Sequence, residues 1–182
     1  MMKTKRIFIG TKIDSAELTK NYASLQRDLR NIVHGKWVEL KNMHFTYHFL
    51  GDVEVEKVPL LKEAVKDSLA VYDANLQIKG LGAFPHLKNP RVLFMNIFDS
   101  NDLVLRLHSQ LKLQLENIDM PTDNKLFKPH LTMVRIKTIE SPEKFTEIIN
   151  KYRSFIFTQV KEMSVQLIES RLYQGGPVYS EL

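Results

Sequence analysis

The sequence predicts an α+β fold made of two pseudo-symmetric lobes, each an antiparallel β-sheet flanked by helices, with a central cleft between them. Three observations carry this prediction. Apolar residues recur in some segments at period two and in others at three- and four-residue steps, so strands and helices interleave along the chain. Two strand-like runs, HFTYHFLG from His44 and HLTMVRIK from His130, open on the same His-x-Thr pattern, and each is followed by a turn, a helix and further strands. No Ser/Gly-rich linker or low-complexity segment divides the 182 residues, so residues 1–182 read as one domain with two internal lobes.

The elements follow in order. Arg6 to Ile13 alternates and is β-branched, as a strand requires. Asp14 or Ser15 can cap a helix whose inner face is Leu18, Tyr22, Leu25, Leu29 and Ile32. GKWVEL gives a short strand after Gly35, and the first His-x-Thr strand ends at Gly51-Asp52. A second helix starts near Pro59 and turns Leu61, Val65, Leu69 and Tyr72 inward. NLQIKGLGAFP and RVLFMNIF are strands joined by a loop across Pro85 to Pro90. A third helix from Ser100 to Asp102 carries Leu103, Leu107, Leu111 and Leu115, and fades near Pro121. Ser141-Pro142-Glu143 opens a fourth with Phe145, Ile148, Ile149 and Tyr152 inward. Strands around Phe155 to Val160 and Met163 to Leu172 complete the pattern.

Composition narrows the class of protein. Hydrophobic residues make up 43% and charged residues 26% of the chain, values that exclude a disordered or fibrous chain. Charged residues interrupt every apolar run well before the roughly 20 residues a bilayer span needs, so no membrane partner is expected. The basic start MMKTKRIFIG has only Ile7, Phe8 and Ile9 as an apolar centre, too short for a signal peptide, and a cytoplasmic monomer is the expectation. Cysteine is absent, which removes disulfides, thiolate metal sites and cysteine nucleophiles together. The net charge of +5 favours anionic partners, and Lys41, Lys125, Lys128, Arg135 and Lys137 crowd the two His-x-Thr segments.

Strand alternation puts His44 and Thr46 on one face, and likewise His130 and Thr132, with Phe45, Tyr47, Leu131 and Met133 on the other. Two imidazoles and two hydroxyls then border one cleft. One ring as general base and the other as general acid, beside hydroxyl donors for anionic oxygens and the guanidinium fork of Arg135, suit hydrolysis of a phosphodiester without a metal. HFTYH is not a zinc motif, because Phe45 stands where the glutamate belongs and the segment is a strand. His48 alternates onto the His44 face and reads as a surface or structural residue, while His34, His86 and His108 have no visible partner. No Gly-rich phosphate loop, acidic magnesium cluster or Ser-centred elbow occurs, so no cofactor or metal is expected.

Several stretches in series, RIFIGTKI, HFTYHFLGDV, IKGLGAFP, PRVLFMNI, FKPHLTMVRI and LIESRLYQGGPVYSEL, give the chain a resemblance to the two-histidine phosphoesterase superfamily. Within it, the chain resembles the RNA 2',3'-cyclic phosphodiesterases, often labelled LigT-like 2'-5' RNA ligases. The resemblance implies a bilobal fold with the active site in the cleft, opening of a terminal 2',3'-cyclic phosphate to a 2'-phosphate, and weak reverse ligation. It implies His44 as general acid, His130 as base, Thr46, Thr132 and Arg135 as phosphate ligands, and Phe49 as a stacking surface for the terminal base. Partners would be RNA ends with a 2',3'-cyclic phosphate or related nucleotides. Phe49 and Arg135 each lie five positions after their histidine, an odd number that strict pleating sends to the far face. Either a bulge follows each threonine or these side chains reach around a strand end. Other readings keep the machinery for 2'-5' oligonucleotides or small cyclic nucleotides, or make the chain a non-catalytic module that binds RNA ends.

Overall fold

The computed structural model describes residues 3–122 and 126–182. Its elements are β1 (Thr4–Lys12), α1 (Ala16–Leu29), β2 (Val33–Trp37), β3 (His44–Glu54), α2 (Val58–Val65), β4 (Val71–Phe84) and β5 (Val92–Asp99), then α3 (Leu103–Glu116), β6 (His130–Ile139), α4 (Pro142–Lys151), β7 (Ile156–Ser164), β8 (Gln166–Tyr173) and β9 (Gly176–Glu181). The α+β prediction holds. All strand pairs are antiparallel, in one sheet of order β3-β1-β8-β9 and another of order β2-β6-β5-β4-β7.

Local chemistry starts the helices where the sequence says. The Ser15 hydroxyl accepts from the Leu18 amide at 3.0 Å and satisfies one of the orphan donors of α1. At α4, Ser141 caps in the same way, with Pro142 at the first position, where its missing N–H costs nothing. Leu18, Tyr22, Leu25 and Leu29 are all buried, so the stripe of α1 faces the core, while Ile32, expected on the same helix face, is buried in the turn that follows Leu29.

Three expectations need correction. The second helix stops at Val65, and Tyr72 lies on β4. A 3₁₀ turn at Lys66–Ser68 intervenes because the buried Ser68 hydroxyl donates to Gln114 and accepts from Gln110, both on α3, which draws the chain out of helical register. The strand expected after Gly35 begins earlier, at Val33, and pairs with β6 on both sides of that glycine. Near the C-terminus, the strands divide at Val165, and β9 follows as a strand that the sequence reading did not contain. Pro177 and the two glycines before it obscured β9, yet an outermost strand tolerates proline because no neighbour needs its amide.

The two His-x-Thr strands occupy equivalent places. β3 pairs with β1, which β8 flanks, and β6 pairs with β5, which β4 flanks. Each sheet therefore borrows two strands from the other half of the sequence: β8 and β9 join the β1–β3 pair, and β2 and β4 join the β5–β6 pair. α1 packs against β7 and α4, α2 against α3, and α3 against β3, while β3 and β6 come together from the two sheets.

Gly35 sits where β2 passes closest to the strand bearing Arg135. A Cβ there would run into the Arg135 carbonyl oxygen, a backbone atom that the paired strand cannot withdraw. Gly35→Ala is expected to destabilise the protein by about 2 kcal/mol, as overpacking does. Urea unfolding would register this as a lower midpoint with an unchanged slope.

Candidate active site

Each His-x-Thr strand carries an extra residue directly after its threonine, and β3 slips a second time at Leu50, between Phe49 opposite Phe8 and Gly51 opposite Ile7. In β3, Thr46 lies opposite Gly10 and His48 opposite Ile9, which leaves Tyr47 without a partner. In β6, Thr132 lies opposite Phe94 and Val134 opposite Leu93, which leaves Met133 as the extra residue. A bulge of this kind puts two successive side chains on the same face. Tyr47 and His48 are both buried, as are Met133 and Val134, and the alternation resumes in the opposite phase. Phe49, 51% exposed, thereby returns to the face of His44 and Thr46, and Arg135 to that of His130 and Thr132. The bulge, and not a reach around the strand end, accounts for both. The same slip corrects His48, which points into the protein.

The two histidines are held alike. The ring of His44 meets the Asn42 carbonyl through Nδ1 at 2.6 Å, and that of His130 meets the Lys128 carbonyl through Nδ1 at 2.7 Å. A carbonyl oxygen only accepts, so Nδ1 carries the proton in each ring and Nε2 is left to exchange one. Aromatic walls fix both planes. His44 lies 4.8 Å from Phe8 and 5.0 Å from Tyr179, and His130 lies 5.0 Å from Phe84 and 4.9 Å from Phe94. Gly10, across from Thr46, gives the first wall its room: a Cβ would sit 2.7 Å from the Phe45 carbonyl oxygen and 3.0 Å from the Phe8 ring.

Burial lowers the pKa of both imidazoles, more than the carbonyl contacts raise it. A proton on His130 and the charge of Lys12 lower His44 further, and Lys128 does the same to His130.

Of the basic residues flagged by the sequence, Lys128 sits over Phe94 at 5.0 Å beside His130, and Arg135 is exposed on the cleft face. Lys41 is paired with Glu39 at 2.6 Å, Lys137 follows Arg135 along β6, and Lys125 lies outside the described residues. Sequence reasoning missed Arg6, whose guanidinium lies 4.6 Å above Phe49, and the four aromatic walls. Their faces follow from strand pairing, which no local pattern encodes.

His108 was expected to lack a partner, and the structure corrects this. Its ring stacks 4.4 Å from His48 and 4.0 Å from Phe127, and its carbonyl accepts from His48 Nε2 at 2.9 Å. His34 reaches Glu140 at 3.6 Å, and His86 accepts from the Asn89 amide at 3.3 Å.

The sequence profile of the family described as LigT like Phosphoesterase matches residues 13–94 and again 97–179, once for each half of the repeat. The chain belongs to this family. An Aquifex aeolicus protein called RNA 2',3'-cyclic phosphodiesterase is 30% identical over 98% of this chain and 95% of its own length. An Archaeoglobus fulgidus protein of the same name is 29% identical over 97% of each chain. Among solved structures, a Thermus thermophilus protein superposes with a TM-score of 0.73 at 25% identity, covering 97% of this chain and 94% of its own. E. coli LigT, in a complex with 3'-AMP, shares the fold with a TM-score of 0.71 at 21% identity, over 99% of this chain and 96% of its own. Across the described residues, no helix is long and apolar enough to cross a membrane.

Partly buried histidines in the cleft and beside it leave a mark on stability. Burial and the neighbouring His48 and Lys112 lower His108 from 6.5 to about 4, and His44 and His130 move in the same direction. A histidine with a depressed folded pKa binds its proton more readily when unfolded, so stability is retained above the unfolded value and lost as pH falls below it. Urea unfolding is expected to show stability falling from pH 6.5 toward about 4, with a shallower slope in His108→Gln.

Proposed function

We propose that this chain is an RNA 2',3'-cyclic phosphodiesterase that hydrolyses a terminal cyclic phosphate to a 2'-phosphate without a metal ion. The observation that carries the reading is the duplicated histidine arrangement: two rings, each with Nδ1 committed to a carbonyl and Nε2 available, on equivalent strands from opposite sheets. The names of the relatives that match over nearly the whole chain support it.

In the proposed reaction, His130 Nε2 takes a proton from water as the water oxygen bonds to phosphorus. The bond from phosphorus to the 3'-oxygen breaks, and His44 Nε2 delivers a proton to that oxygen. The products are a 2'-phosphate and a 3'-hydroxyl, with the proton exchanged between the two rings through solvent. Thr46 and Thr132 donate hydrogen bonds to the phosphate oxygens, and Arg135 supplies a guanidinium fork. Phe49 stacks on the terminal base with the face that Arg6 leaves open. The negative phosphate also raises both histidine pKa values toward the range the acid needs, against the depression that burial and the nearby lysines impose. The same pair in reverse gives weak 2'-5' ligation. In this reading, residues 1–182 work as one two-lobed domain, as a monomer in the cytoplasm.

The test is incubation, in EDTA, with a short RNA ending in a 2',3'-cyclic phosphate, beside a 2'-5' oligonucleotide and a small cyclic nucleotide. Wild type is expected to give a 2'-phosphate at a rate EDTA leaves unchanged, and His44→Ala and His130→Ala to lose about 10²- to 10⁴-fold each. Loss of activity with EDTA would overturn the metal-free mechanism. RNA bound without turnover by wild type and variants alike would make the chain a binding module. The rate against pH is expected to be bell-shaped, with one limb lost in each variant.

A further inference from the structure

One polar group in the cleft has no role in this account, the hydroxyl of Tyr179 on β9. The residue is half-buried, and its ring stands edge-on to His44 at 5.0 Å and to Phe8 at 5.2 Å. Among the described residues, nothing makes a hydrogen bond to that hydroxyl. The charges that act on it are two guanidiniums, those of Arg135 on β6 and Arg6 on β1, which approach from different sheets. A neutral O–H donor within reach of two guanidiniums, with Asp52 opposite Arg6 making no ion pair to it within 4 Å, makes a cradle for an anion.

The cradle is rigidly tied to His44. β9 lies at the far end of its sheet from β3, yet the sheet curls so that β9 meets the turn before His44. Buried Asn42 closes the curl: its side-chain amide donates to the Pro177 carbonyl at 3.0 Å, and its own carbonyl is the partner of His44 Nδ1. One residue thus fixes both the acid proposed for the reaction and the strand that carries the phenol. Lys5 and Arg171 hold the nearby carboxylate of Glu169 on β8, away from the role of counter-ion.

We propose that Tyr179 donates its hydroxyl to a non-bridging phosphate oxygen of the substrate, between Arg6 and Arg135, and that this bond strengthens as the attacking water adds negative charge to phosphorus. The proposal rests on the cyclic-phosphate reading and adds a catalytic residue to it. A donor fixed in advance where charge develops acts on the transition state more than on the ground state.

The experiment compares wild type with Tyr179→Phe, which removes one oxygen and keeps the ring contacts to His44 and Phe8. A hydrogen bond to a charged group is worth a rate factor of about 10 to 100, so kcat on the cyclic-phosphate RNA is expected to fall by that much while KM changes little. Binding of inorganic phosphate, followed by ³¹P NMR on the same two proteins, is expected to weaken in the variant. Turnover by the variant within about twofold of wild type, with equal phosphate affinity, would overturn the proposal. Should wild type leave the RNA uncut, the functional reading fails separately. Weaker phosphate binding by the variant would then still uphold the cradle, and equal binding would remove it.

Discussion

The extra residue after each threonine is the constraint on which the cleft depends. In a regular strand, the side chain five places beyond a histidine lies on the opposite face. Without the slip, Phe49 and Arg135 would point into the core, and Leu50 and Ile136 would point away from it. An arginine buried there without a partner would be costly enough to prevent the pairing. The bulge removes the conflict locally, since Tyr47 and Met133 take the second inward position, and Leu50 and Ile136 then continue the buried row. Fold and cleft therefore require the same irregularity. Its recurrence at the same offset in both halves marks it as part of the duplicated plan.

Duplication alone would leave two separable halves, and strand exchange prevents this. β8 and β9 complete the sheet of the first half, and β2 and β4 complete that of the second, so neither sheet is whole without strands from both halves of the chain. The cleft lies where the two sheets meet, and the groups that line it come from β1, β3, β4, β5, β6 and β9. On one side of that seam, Tyr22 of α1 ties β6 to the end of β2, its single O–H shared between the Val38 carbonyl at 2.8 Å and the Met133 carbonyl at 3.2 Å. The bulged residue of β6 is thereby braced from α1.

Local pattern made much of this legible. The helix stripes, the caps at Ser15 and Ser141, and the shared face of each histidine and its threonine depend on residues a few places apart, within reach of periodicity. Relations set by pairing stayed hidden. Phe8 and Phe94 look like ordinary core residues in sequence and become the walls of His44 and His130 only through register. Tyr179 belongs to a strand whose glycines and proline resemble a tail. The His48-His108-Phe127 stack joins β3, α3 and the segment before β6, so no single segment holds its signature. The lengths of the second helix and of β4 were hidden for the same reason, as Ser68 answers to α3 rather than to its neighbours.

Electrostatics connects the cleft to what it can hold. Burial, and after it a proton on His130 and the charge of Lys12 at His44 and that of Lys128 at His130, lowers the pKa of both rings and so favours their neutral state. Two neutral rings can accept protons but cannot donate one as an imidazolium acid. The proposed proton-in, proton-out reaction needs one of each, so in that reading the protein's own groups are set for base and short of their acid. A bound anion supplies what is missing, because negative charge beside both rings favours retention of a single shared proton while their repulsion still disfavours a second. In the proposed reaction the cations beside the rings therefore pull two ways: they add to the lowering that burial imposes on the acid, and they favour the anion that would restore it.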